Sequence, residues 1–327
     1  MPAPPSQGGG AHRWGSFLRV IRGRCHAPNV VVMIEIQGLT RRFGDITAVD
    51  DVSFTVHEGH MTGFVGGNGA GKTTTMRMTM GLLGIDAGGV LWDGRPITAA
   101  DRRRTGYMPE ERGLYPKQKI VDQLTYLGEL SGMSAADAKA AIMEHLERFG
   151  LADRANDRVE KLSLGNQQRV QIIAALMTQP DALILDEPFS GLDPQAVDSM
   201  ADLLREHVAR GIPVLFSSHQ LDLVERLCDH LVVLSKGRVV ADGTVDQLRN
   251  RGPQRYRLVL GSDAGWVRDV PGIHTVDVDG AKAILELTGE TPDADQVLLR
   301  EALSRGEVKE FARIIAPLSE IYREVTA

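Results

Sequence analysis

At 327 residues, 43% of them apolar and 24% charged, the chain exceeds one typical domain and can bury an ample core. Its formal charge of −6 argues against nonspecific nucleic-acid binding, and no apolar run approaches the roughly 18 residues of a membrane-spanning helix. Any membrane role must therefore come through a partner. Cys25 and Cys228 fit neither a metal spacing nor a disulfide framework, which suits a reducing cytoplasm.

In chain order, residues 1–32 come first, with Pro and Gly clusters, four arginines and no acidic residue. They are predicted to be a disordered basic tail. A signal peptide does not fit, because Arg19 interrupts the short apolar segment and no long apolar region follows. Residues 14–24 have the alternative of lying on an anionic membrane as a short basic amphipathic helix, and Met33 is an alternative start of the protein. Strand-like alternation begins at Met33-Ile34-Glu35-Ile36, and the following Arg41-Arg42-Phe43-Gly44 is polar and loop-like.

An apolar strand at 60–65 runs into Gly66-Gly67-Asn68-Gly69-Ala70-Gly71-Lys72-Thr73, a G-x-x-x-x-G-K-[ST] phosphate loop. The glycines let backbone N–H groups face phosphates, Lys72 can reach the β and γ oxygens, and Thr73 can ligate Mg²⁺. Thr74 follows in the first turn of a helix whose N-terminus favours anions. A chance glycine turn would not be framed by strand and helix in this order.

Helical spacing appears at 121–131 and 135–149, through Leu124, Leu127 and Leu130 and then Ala141, Ile142, Leu146 and Phe149. Downstream, Ala182-Leu183-Ile184-Leu185 predicts a strand buried on both faces, ending in Asp186 and Glu187 where parallel strands deliver ligands. Asp186 fits a Mg²⁺-supporting carboxylate, and Glu187 is placed to orient an attacking water. Alone, such an acidic pair is equally a solvated strand end. A further buried strand, 213–218, ends at His219.

Together with Leu162-Ser163-Leu164-Gly165-Asn166-Gln167-Gln168, Ser190-Gly191-Leu192-Asp193-Pro194 and Ser217-Ser218-His219, this order resembles an ATP-binding-cassette ATPase over 34–250. The resemblance implies an α/β fold: a P-loop core, an antiparallel β subdomain and a helical insert at about 115–168. It further implies ATP and Mg²⁺ as ligands, and two copies sandwiching two ATP molecules. Ser163, Gly165 and Asn166 of one copy then meet the phosphates bound by the loop of the other, and Asp193 stands in the adjoining aspartate loop. His219 corresponds to the switch histidine and Phe43 to the aromatic that stacks on adenine. Leu164 and Asn166 depart from the usual Leu-Ser-Gly-Gly-Gln, and the variant is similar to that of type-2 exporters, including sodium-efflux ATPases.

Glu110, in Gly106-Tyr107-Met108-Pro109-Glu110-Glu111, stands where most relatives carry glutamine, again similar to the sodium-efflux subgroup. In the family this loop senses Mg²⁺ and water and meets the membrane partner, so Glu110 joins Thr73 and Asp186 as a metal-site candidate, and Lys72, Glu187 and His219 as a catalytic one. A carboxylate in place of the amide keeps an oxygen acceptor, adds a charge and removes two donors. A surface acidic loop is the plainer alternative.

Gly252-Pro253 then punctuates the chain. Alternation at Tyr256, Leu258 and Leu260, at Val276 and Val278 and at 284–287, followed by helical spacing at 297–303 and 318–325, predicts a small α+β domain over 253–327. The expected protein is a cytoplasmic ATPase subunit, peripheral on the inner face of the membrane through separate permease subunits, with no nucleic-acid partner. The rival expectations are a soluble cassette ATPase uncoupled from transport and a regulatory, non-hydrolysing cassette. The first rival generally carries two cassettes or a long coiled-coil insert, and the second usually loses the glutamate or histidine.

Overall fold

A computed structural model describes residues 33–111, 113–250, 254–288 and 293–326. The expectations for the tail at 1–32, Cys25 and the Gly252-Pro253 break lie outside the described residues.

The chain opens with β1 (Ile34–Phe43) and β2 (Ile46–Val56), a hairpin in which Phe43 faces Ile46. The expected loop at Arg41-Arg42-Phe43 is therefore the end of a strand. Its pairing with β2 continues after the pairing with the next neighbour has stopped, and an exposed two-stranded ribbon needs no apolar alternation. Next come β3 (Met61–Val65), α1 (Lys72–Thr79), β4 (Ala87–Trp92) and β5 (Arg95–Pro96). Strands β2-β1-β4-β5, in that order, make an antiparallel sheet.

After α2 (Ala99–Arg103) and β6 (Thr105–Met108), the chain leaves the sheets for α3 (Ile120–Leu130) and α4 (Ala135–Arg148). Ala138, Ile142 and Leu146 recur every four residues and form the buried stripe of α4, packed beside α3. It returns through α5 (Leu164–Leu176), β7 (Ala182–Leu185), α6 (Pro194–Val208), β8 (Val214–Ser218), α7 (Leu221–Leu227), β9 (His230–Ser235), β10 (Arg238–Thr244) and α8 (Val245–Arg249).

The central six-stranded sheet has the order β10-β9-β3-β8-β7-β6, with only the β10 edge antiparallel. Strands β3, β7 and β8 are buried along their whole length. Strand alternation divides their side chains between two cores: Leu183 and Leu185 enter one, Ala182 and Ile184 the other. Both faces being covered, polar chemistry is confined to the strand ends, where β3, β7 and β8 deliver the phosphate loop, the acidic pair and His219.

The C-terminal region adds β11 (Arg255–Leu260), β12 (Ile273–Asp279), β13 (Lys282–Leu287), α9 (Ala294–Arg305), β14 (Val308–Ile314) and α10 (Leu318–Thr326). Its antiparallel sheet, ordered β12-β13-β11-β14, buries Leu258 and Leu285 against Leu298 and Ala302 of α9. The helix α10 does not join that core. Leu318 and Ile321 are buried in the main core, where α10 packs on α7, α8 and β10.

Candidate functional site

The phosphate loop is shaped by its glycines. Gly71 has φ 107°, and a Cβ there would stand 2.6 Å from the Ala48 carbonyl oxygen; at Gly66 it would stand 2.6 Å from that of Leu234. Neither position admits a side chain, so the loop lies closer to β2 and β9 than any other residue would allow. The ammonium of Lys72 donates to Gly66 O at 2.6 Å and Gly67 O at 3.3 Å, centring a cation in the turn. Asn68 and Gly69 face solvent at the tip, Ala70 is buried beneath them, and Thr74 follows in the first turn of α1.

Beside the loop, the Thr73 hydroxyl donates to Glu110 Oε2 at 3.3 Å. Two residues before Glu110, the Met108 carbonyl accepts the Asp186 N–H at 2.8 Å, which ties the Glu110 loop to the acidic pair. The Asp186 carboxylate is fully buried. Ser217 Oγ donates to Oδ1, whereas Oδ2 has no hydrogen-bond partner. A buried carboxylate oxygen left so is costly and rare, and an oxygen-seeking divalent cation would satisfy it. Among the described residues no group of three or more His, Cys, Asp or Glu could hold a metal alone. The oxygen donors of Thr73, Asp186 and Glu110 are of the chemistry that Mg²⁺ takes, and too few to hold it by themselves. Burial, and secondarily the charge of Asp186, pushes the Tyr107 phenol up from its ordinary value.

Glu187 sits at φ 51°, left-handed backbone that costs a non-glycine residue about 1–2 kcal/mol. Its neighbours hold it there. The Glu187 N–H donates to Ser217 Oγ at 2.8 Å, and the Gln168 amide donates to the carbonyls of Glu187 at 3.0 Å and Pro188 at 3.1 Å. The twist turns the Glu187 side chain to His219, whose Nδ1 lies 3.0 Å from Oε2. The glutamate side chain is 11% exposed and the histidine 55%, so the pair opens to solvent on the histidine side.

Ser163 heads α5, its hydroxyl accepting the Asn166 N–H at 3.3 Å. Gly165 lies in the same first turn. Asp193 similarly caps α6, accepting the Ala196 N–H at 2.8 Å ahead of Pro194. Phe43 is 47% exposed, with the Arg41 guanidinium 5.0 Å from its ring centroid, so it is a surface aromatic.

The structure therefore joins Thr73 to Glu110 and Asp186 to Glu187 and His219, while Ser163, Gly165, Asn166 and Asp193 head two other helices. Sequence reasoning assigned no role to Ser217, which bridges Asp186 and Glu187, or to Gln168. Nor did it assign one to Gln171, whose amide donates to Pro109 O at 2.6 Å. Ser217 carried a signal, as one of two serines that close the apolar strand leading to His219.

A family model described as ABC transporter matches residues 49–190, and one described as the C-terminal domain of DrrA1-3-like ATP-binding proteins matches 243–326. The chain is 40% identical over 295 residues to the uncharacterized ABC transporter ATP-binding protein YhaQ of Bacillus subtilis, covering 89% of this chain and 98% of that one. With Nod factor export ATP-binding protein I of Burkholderia lata it shares 40% identity over 216 residues, 65% of this chain and 71% of the relative. A solved ATP-binding subunit of an ABC transporter superposes with a TM-score of 0.62 at 33% identity, covering 67% of this chain and 92% of that structure. Fold and site thus define an ATP-binding cassette of the P-loop class. The chain belongs to the family of ABC transporter ATP-binding proteins.

Proposed function

We propose that the chain is the ATP-hydrolysing subunit of an ABC exporter, closing as a pair around two ATP molecules and driving transport through separate transmembrane subunits. The observation that carries hydrolysis, beyond binding, is the Glu187–His219 contact beside the buried Asp186. A cassette that only bound nucleotide would need neither the strained Glu187 backbone nor the hydrogen bonds that maintain it. The relatives' names, among them Nod factor export and linearmycin resistance, support an exporter.

Residues 33–250 are assigned to nucleotide binding, with the insert at about 115–168 facing the permease, and 253–327 to an accessory domain. The loop from Gly66 to Thr74 wraps the phosphates, with Lys72 moving from its own carbonyls to the β and γ oxygens. Mg²⁺, held through Thr73, Asp186 and Glu110, would neutralise charge developing on the phosphates. Glu187 orients the water that attacks the γ-phosphorus, and the bond to the bridging oxygen of ADP breaks. His219, with its Nδ1 beside Glu187, offers its other ring nitrogen to a γ-phosphate oxygen. Phe43 stacks on adenine, while Ser163, Gly165, Asn166 and Asp193 act across the pair. No helix among the described residues is long and apolar enough to cross a membrane. Attachment to the inner face of the membrane through the permease is part of the proposal.

Glu187→Gln tests this. It should lower ATP turnover about a hundredfold or more while leaving ATP affinity in place, and ATP with Mg²⁺ should convert the variant to a dimer on gel filtration. Turnover equal to that of the wild type would remove Glu187 from the chemistry. Tight ATP binding with no wild-type turnover, alone or with the permease, would favour the regulatory cassette.

A further inference from the structure

The C-terminal helix α10 lies beside both the helix that follows His219 and the phosphate loop. At its start, the Leu318 N–H donates to Glu225 Oε2 at 3.1 Å. Glu225 belongs to α7, the helix that begins two residues after His219, and its other oxygen pairs with Arg249 of α8. One turn further along α10, the half-buried Tyr322 packs against the main core. Its hydroxyl oxygen lies 3.6 Å from the point where a Cβ on Gly67 would stand. Gly67 is also one of the two carbonyls that hold Lys72. The helix α10 thus bonds at its start to the helix that follows His219 and at its middle brings the Tyr322 hydroxyl beside the phosphate loop.

We infer that Tyr322 is a positioning residue of the ATP site: its hydroxyl backs the Gly67 turn, and Glu225 fixes the helix that carries it. The inference rests on the function proposed above. ATP binding draws Lys72 away from the Gly67 carbonyl, so the Gly67 turn loses one of the contacts that hold it. The Tyr322 hydroxyl beside that turn remains. The pairing makes the C-terminal region part of the nucleotide site through contact, without supplying any group to the chemistry. It also links the phosphate loop to α7, so that movement of His219 is felt at Gly67.

The test uses the full chain and two variants. Tyr322→Phe keeps the ring and removes only the atom that reaches Gly67, and Glu225→Ala releases the start of α10. For Tyr322→Phe we expect KM for ATP and the dissociation constant of a fluorescent ATP analogue to rise about fivefold, with kcat within about twofold and the melting temperature unchanged. Glu225→Ala should move KM in the same direction. The double variant should fall short of the product of the two effects, because both act through one helix. Wild-type KM and affinity in Tyr322→Phe would overturn the assignment, as would fully multiplicative effects. If Glu225→Ala melts early, the Tyr322→Phe result decides alone. Failure of the wild type to bind the analogue would instead overturn the ATPase function on which the inference stands.

Discussion

The six-stranded sheet of the cassette and the four-stranded sheet of the C-terminal region bury their strands in opposite ways. In the first, β3, β7 and β8 are covered on both faces and carry polar groups at one end, at Ser217 and Ser218 and then at Gly66, Asp186 and His219 just beyond. In the second, one face packs on α9 and the other carries ion pairs such as Arg257 with Glu310. A sheet sealed on both sides can project reactive groups only from its ends, which gathers them in one place. A sheet sealed on one side spreads its charges over a surface, where they neutralise one another. The described residues of the C-terminal region accordingly form a core of their own with no group of metal-holding side chains, and one helix, α10, packs back on the main core.

The largest effect expected to sharpen this contrast lies on the cassette side. Ser163→Arg places a bulky cation at the head of α5, where the partner's phosphates would bind. Turnover should fall about a hundredfold while each subunit still binds ATP on its own loop. Mixing Ser163→Arg with Lys72→Ala subunits gives mixed dimers with one site free of both lesions and one bearing both, so any recovered hydrolysis comes from one site. A Ser163→Arg homodimer as active as the wild type would show that the site is completed within a single chain.

The cassette was legible in the sequence because its chemistry demands particular residues in a fixed order: a loop that tolerates only glycine at Gly66 and Gly71, a lysine, a threonine, and acids at a strand end. Burial of 182–185 followed from four apolar residues that no amphipathic element would carry. What stayed hidden depends on contacts between distant segments. β14 reads Val-Lys-Glu-Phe-Ala-Arg-Ile, an open-sheet strand whose charges blur the alternation. Val297 and Leu303 announced α9, but the spacing of Leu318 and Ile321 could not say that α10 leaves its own domain for the main core. The apposition of Tyr322 to Gly67 depends on that departure. Arg41 and Phe43 looked like loop because an exposed ribbon and a loop share their polarity.

Two leucines test the division directly. Leu298 is fully buried in the C-terminal core and Leu318 in the main core, so either change to alanine should cost about 2–4 kcal/mol in the unfolding of its own region. Leu298→Ala should nonetheless leave ATP affinity at the wild-type value, because α10 keeps its seat. Leu318→Ala should weaken stability and affinity together. Calorimetry with nucleotide titration checks both. A loss of affinity in Leu298→Ala as large as that in Leu318→Ala would mean that the two cores unfold as one unit.

The smallest effect belongs to a charged pair that serves neither the chemistry nor the C-terminal contact. Asp101, in the first turn of α2, accepts two hydrogen bonds from the Arg95 guanidinium, at 2.7 and 2.8 Å, and further ones from the Thr98 hydroxyl and N–H. Arg95 foremost, and then Thr98, hold its carboxyl well below the usual carboxylate range. Asp101→Asn keeps the shape and one acceptor but loses the charge, so stability at neutral pH should fall by about 1–2 kcal/mol. The sign with pH follows from a depressed folded-state value. The carboxylate's contribution is whole above the unfolded value near 4 (~3.9) and is lost as pH falls from there toward the lower folded value. Denaturant melts of wild type and variant should therefore differ by a constant amount from about pH 6 to 8 and converge below about pH 4. A gap that persisted undiminished into that acid range would mean that Asn fails for its shape, and that the charge shared with Arg95 contributes little to the fold.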